Sequence, residues 1–185
     1  MKHQSSKEFF AYWEDKRGYA RAPERGDLEP GPVRELLGDI FVLSCDQRAG
    51  FPFRVAGTRV CALLGRDLKG QAFPMLFAPD SRRDVEEIIT VVSEELLVAV
   101  AGVNAANENG EKLHMELLLL PFNMRAHTPV SLTGLLAPLT ATRGKLGYLD
   151  LTSFRYLAHP PQRFAPRVLR KLQAARGLMV YEGLR

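Results

Sequence analysis

The chain has 185 residues, 46% hydrophobic and 25% charged, with a formal net charge of +4. These proportions suit one ordinary globular domain with extensions and exclude a chain disordered throughout. The two cysteines, Cys45 and Cys61, form no Cys-x-x-Cys pair, which disfavours a zinc ribbon or a redox dithiol. Both sit in apolar runs and read as reduced core thiols.

No apolar signal core follows Met1-Lys2-His3-Gln4-Ser5-Ser6-Lys7, and no apolar run reaches the roughly 18 residues of a membrane span. A cytoplasmic protein without a membrane span is expected.

Ser5-Ser6-Lys7-Glu8 has capping-box spacing, so a helix is expected over residues 5–17, stopped by Gly18. Phe9, Phe10 and Trp13 share one side of it, too apolar to leave in water. They pack either on their own domain or on a second copy, as a candidate dimer interface. Residues 21–30 read as a loop, and Pro30-Gly31-Pro32 opens a short helix that Gly38 ends.

Residues 40–45 are rich in β-formers and predict a strand. Asp46-Gln47-Arg48-Ala49-Gly50 turns the chain into a second strand, where Phe53 and Val55 alternate with Arg54 and Ala56. Gly57 breaks that strand and Thr58 is placed to cap a short helix carrying Val60, Leu63 and Leu64. Residues 67–79 are irregular but apolar enough to lie on a core. Ser81 and Asp84 have capping-box spacing at the start of the strongest helix, residues 80–97, with Val85, Ile88, Ile89, Val92 and Leu96 in one stripe.

Three further strands are expected, at 98–106, 112–122 and 131–139, the first two joined at Asn109-Gly110. The order predicts an α+β fold, a sheet with helices on one face. The domain division is a helical cap at 1–38, a core at 39–141 and an extension at 142–185. Within the extension, residues 148–156 suit an added strand. Arg163, Arg167, Arg170, Lys171, Arg176 and Arg185 make a basic tail, and Val168, Leu169 and Leu172 within it suit an amphipathic helix.

The element order resembles the PAS (Per-Arnt-Sim) fold, a five-stranded antiparallel sheet curled around a small cavity. The motifs are similar to those of a family of short bacterial single-PAS proteins. They are Tyr12-Trp13 with Arg17-Gly18, then Pro23-x-Arg25-x-Asp27. Next come Arg54-Val55-Ala56-Gly57-Thr58 and Gly65-x-x-Leu68-x-Gly70. The resemblance runs over residues 8–140 and implies a sensory or regulatory module with no assigned catalytic residues.

A catalytic reading finds little support. His3, His114, His127 and His159 have no ligand spacing, and there is no Gly-x-Ser-x-Gly elbow or phosphate loop. Neither an enzyme nor a metal site is expected. Within the PAS resemblance, haem calls for an axial histidine on the long helix, and residues 80–97 contain none. Flavin photochemistry calls for a cysteine in an Asn-Cys-Arg context, whereas Cys61 sits in Arg59-Val60-Cys61-Ala62. No cofactor is expected.

Phe53, Val55, Leu64, Phe73, Leu76, Ile88, Val92, Met115, Leu117 and Leu135 are the candidate lining of one interior. They either hold a small apolar ligand or simply fill the core. Arg54 suits an ion pair, to Asp27 or Asp39, or an anion site. The basic tail lacks interleaved aromatics, so nucleic acid is an unlikely partner. The expected function is a regulatory PAS module without its own output domain, acting on an unknown signalling protein as a homodimer. The alternative is a small-molecule binding protein with an occupied apolar pocket.

Overall fold

The computed structural model describes residues 1–123, 129–141 and 144–157, together with the backbone of Arg170–Ala175 and Leu178–Glu182. Helix α1 spans Gln4–Arg17, α2 Thr58–Leu64 and α3 Pro79–Glu95. The strands are β1 Ile40–Ser44, β2 Phe53–Ala56, β3 Val98–Asn107, β4 Lys112–Pro121, β5 Ser131–Pro138 and β6 Leu146–Leu157. They form one antiparallel sheet in the order β2-β1-β5-β4-β3-β6. Short 3-10 turns lie at Arg25–Asp27, Arg34–Leu36 and Phe73–Leu76.

The sheet therefore has six strands where five were expected. The region that suited an added strand is β6, which pairs with β3 along its length and buries Leu146 and Leu149. Pairing satisfies backbone groups on that side of β3 that would otherwise be left open. The tail also differs from expectation. Leu172 lies not in a helix but in β7 (Arg170–Ala175), paired antiparallel with β8 (Leu178–Glu182). Val180 and Tyr181 in β8 favour extended chain. Arg163, Arg167, Val168, Leu169, Arg176 and Arg185 of the tail reading, with His127 and His159, lie outside the described residues.

Period-two alternation splits the sheet into two apolar faces. Ala99, Ala101, Val103, Leu113, Met115, Leu117 and Leu119 face inward, against Val85, Ile88, Ile89 and Val92 of α3. Val98, Val100, Leu118, Leu120, Leu135 and Ala137 face outward, under α1. Covering both faces explains the unbroken run Leu117-Leu118-Leu119-Leu120 in β4.

On the outer face Phe9 and Trp13 are 2% and 0% exposed. Trp13 Nε1 donates to the Pro121 carbonyl at 3.0 Å. The aromatic stripe is thus spent within its own chain, and Phe9 and Trp13 offer no surface for a dimer. Phe10 is half-buried and stacks on Trp13 at 6.2 Å.

The helix starts also depart from the capping-box readings. His3 caps α1, its Nδ1 accepting from the Ser5 N–H at 3.1 Å, while Glu8 takes the Gln4 side chain at 2.8 Å. Helix α3 begins at Pro79, which needs no N–H partner there. That leaves Ser81 Oγ to accept from the Leu151 N–H of β6 at 3.1 Å.

Candidate functional site

The corner from β2 into α2 is built around one extra residue. Val42 pairs with Val55 and Leu43 with Phe53, so Arg54 is a β-bulge. The bulge breaks the alternation seen in the sequence. Phe53 and Ala56 turn to the core, and Val55 turns out, 53% exposed. Val55 therefore lines no interior.

Beyond the bulge, the chain folds back on residues 35–40. The Gly57 N–H donates to the Ile40 carbonyl at 2.8 Å, and the Arg59 and Val60 N–H groups both donate to the Gly38 carbonyl, at 2.9 and 3.1 Å. That carbonyl, not Thr58, satisfies the start of α2; Gly57 is the capping residue and Thr58 is exposed. A Cβ on Gly57 would lie 2.3 Å from both the Leu37 and Gly38 carbonyl oxygens. Glycine is required there because two backbones touch.

Arg59 locks this approach. Its Nε meets Asp39 Oδ1 at 2.7 Å, its Nη2 meets Asp39 Oδ2 at 2.8 Å, and Nη2 also donates to the Glu35 carbonyl. Asp39 is 7% exposed, and its hydrogen bonds raise the Arg59 pKa above its already high ordinary value. The ion pair assigned to Arg54 thus belongs to Arg59. Arg54 lies exposed on the bulge and takes no part in it. The misleading signal was strand alternation; the informative one was that an arginine in the first turn of α2 points back at the chain entering β1.

The interior candidates largely meet. Phe53, Phe73, Leu76, Ile88, Val92, Met115 and Leu117 are each 3% exposed or less in one cluster, against which Leu64 packs. Phe41, Phe53, Phe73 and Phe77 place their ring centroids 5.3 to 5.6 Å apart, contact distance for aromatic rings. Leu135 is an exception. Alternation along β5 sends Leu132 and Leu136 inward and Leu135 to the outer face. Burial pushes the Cys45 thiol up to about 11, against a hydrogen bond from Ser93.

Two clefts lie outside this interior. One, of about 330 Å³, runs over the outer face between Lys2, Gly102, Glu116, Ser153 and Arg155. The Glu116 carboxylate there accepts the Lys2 and His3 N–H groups at 2.6 and 3.1 Å. The other, of about 430 Å³, lies between Asp39, Arg59, Ala62, Leu63, Pro138, Gly144 and Lys145. His114 is exposed, its Nδ1 2.7 Å from Asn104 Oδ1. Among the described residues no group of three His, Cys, Asp or Glu side chains could hold a metal, and no helix is long and apolar enough to cross a membrane.

Among the described residues, strand β6 has an edge that is covered only in part. The Ala78 N–H donates to the Leu149 carbonyl at 2.9 Å, and Ser81 takes the Leu151 N–H. After Leu151, β6 has no second neighbour among the described residues. On that stretch Phe154 is 48% exposed and meets Tyr156 edge-on at 5.7 Å.

Several solved structures are similar to the chain. The PAS domain of an HTR-like protein from Haloarcula marismortui is 20% identical, covering 57% of this chain and 88% of its own, with a TM-score of 0.43. A PAS domain from Colwellia psychrerythraea is 16% identical over 57% and 92%, also at 0.43. A Rhodobacter sphaeroides LOV protein is 15% identical over 58% and 64%, at 0.45. No curated protein matches. The PAS domain family model matches residues 1–137, which include the β2–α2 corner, both apolar faces of β3 and β4, and α1; the chain belongs to the PAS domain family.

Proposed function

We propose that this chain is a non-catalytic sensory or regulatory PAS module that works by protein contact, as a homodimer joined through the open half of the β6 edge. The observation that carries this reading is the edge itself. A strand with unpaired backbone groups and exposed aromatics is a template for another strand. Leu149 and Leu151 turn their backbone groups to this edge. Counted on through the bulge between Leu151 and Ser153, Phe154 and Tyr156 turn theirs the same way.

The occupant that fits is a second copy, antiparallel, with Phe154 opposite Phe154. That register sets Ser153 against Arg155, so the two arginines avoid facing each other. Haem or flavin does not suit the interior, where Phe41, Phe53, Phe73 and Phe77 stand in contact. A signal would bias the contact between copies by favouring one arrangement of β6 and the start of α3 over another.

Sedimentation of the full chain tests the reading. The native chain is expected to sediment as a dimer. Phe154→Lys, which sets two like charges opposite each other, is expected to sediment as a monomer with unchanged circular dichroism. A native monomer, or a variant that stays dimeric, overturns the proposal.

A further inference from the structure

We infer that the cleft between α2 and the start of β6 binds a small organic acid, one carboxylate carrying an apolar body. This cleft is separate from both the PAS interior and the β6 edge, so it stands or falls independently of them. Its volume of about 430 Å³ lies in the usual range for small-ligand sites, about 300–1,000 Å³. Ala62, Leu63 and Pro138 supply an apolar wall, and Arg59 and Lys145 supply the cations.

The geometry of Arg59 selects the headgroup. Nε and Nη2 are taken by Asp39 and the Glu35 carbonyl. Nη1 keeps two N–H donors with no acceptor among the described residues. The side chain is 55% exposed although the guanidinium is fixed in place. An acceptor arriving at Nη1 finds a donor whose rotamer is already frozen, which lowers the entropy cost of binding.

Lys145 is guided to the same cleft. Its stem lies over Gly65, where a Cβ would come 2.3 Å from Lys145 Cδ. The glycine leaves room for the stem, and the residue stays exposed. Among the described lining residues Arg59 and Lys145 carry two positive charges and Asp39 one negative, a surplus of one. One carboxylate balances that surplus; a phosphate dianion would exceed it beside the buried Asp39 carboxylate.

The test titrates the isotope-labelled full chain with benzoate and follows backbone amides by NMR. Saturable shifts are expected at Ala62, Leu63 and Lys145, and none at Phe53 or Ile88. Lys145→Ala removes an exposed cation and is expected to weaken benzoate by up to about fivefold, in line with at most roughly 1 kcal/mol for such a contact. Benzyl alcohol, the same body without the charge, is expected not to saturate. The inference is overturned by any of four results. These are no saturation by about 20 mM benzoate, shifts centred on the interior residues, equal binding by Lys145→Ala, or tighter binding of inorganic phosphate.

Discussion

The two ends of the sheet are finished differently. At the β2 end the outer edge is tied back by backbone at Pro52 and Phe53. The Phe53 N–H donates to the Gln71 carbonyl at 3.0 Å, the Gly70 N–H returns to Phe53 at 2.8 Å, and Pro52 bridges Ala72. A bulge, a glycine contact and the Arg59–Asp39 pair then bind β2 to β1 and α2. At the β6 end a twelve-residue strand is covered, among the described residues, only where residues 78–81 reach it. A closed edge cannot recruit another strand, and an open one can. The contrast is between an edge tied back onto its own chain and one whose far half has no second neighbour among the described residues.

Two substitutions should break the closed end. Gly57→Ala has the larger expected effect. Its φ of −66° suits alanine, so any loss comes from the 2.3 Å collision with the Leu37 and Gly38 carbonyls. Separating those backbones also breaks the bonds to Gly38. A loss of about 3 kcal/mol or more is expected in urea unfolding, as for other severe overpacking. A loss under about 1 kcal/mol would mean the contact relaxes freely.

Arg59→Ala comes next, leaving Asp39 buried without its cation. About 2 kcal/mol is expected, below the range for a fully buried pair because Arg59 is half exposed. Adding Asp39→Asn should recover part of the loss, since the unpaired charge is then gone. If the double variant is no more stable than Arg59→Ala, the pair is not what joins the two segments.

The closed end was only partly legible in the sequence. Strand, break and helix were all readable in residues 51–65, because Gly57 and Gly65 punctuate them. The bulge was not, since one extra residue leaves no mark on composition and only reverses which side Val55 faces. Three capping side chains were misplaced for a common reason: a backbone carbonyl, an upstream histidine and a proline supplied what Thr58, Ser5 and Ser81 seemed placed to supply. The long stripe of α3 was legible because its period is sustained over several turns. Leu135 was assigned to the wrong face because β5 is buried on both sides, so its pattern carries no alternation to read. The open edge of β6 was invisible, because pairing is a property of neighbours and not of the strand.

A smaller effect separates the ends by pH. Cys45, just past β1, holds its proton until about 11 because the thiol is buried. In the unfolded chain the thiol ionises near its ordinary value of 9.0. Between these values the unfolded chain binds fewer protons than the folded one, so stability falls as pH rises from about 9 to about 11. The two-unit separation, discounted for partial exposure, corresponds to about 1 kcal/mol. Tyr156, on the open edge, is also raised, by burial and then by Glu87, so its share of the alkaline loss begins only above the phenol's ordinary value of 10.0. Urea unfolding from pH 8 to pH 10 should therefore fall more steeply in the native chain than in Cys45→Ala, while Tyr156→Phe should follow the native curve to about pH 10 and differ only beyond it. Equal slopes for native and Cys45→Ala would mean that the β1 end admits water to Cys45, and that the two ends of the sheet are less unlike than their hydrogen bonds imply.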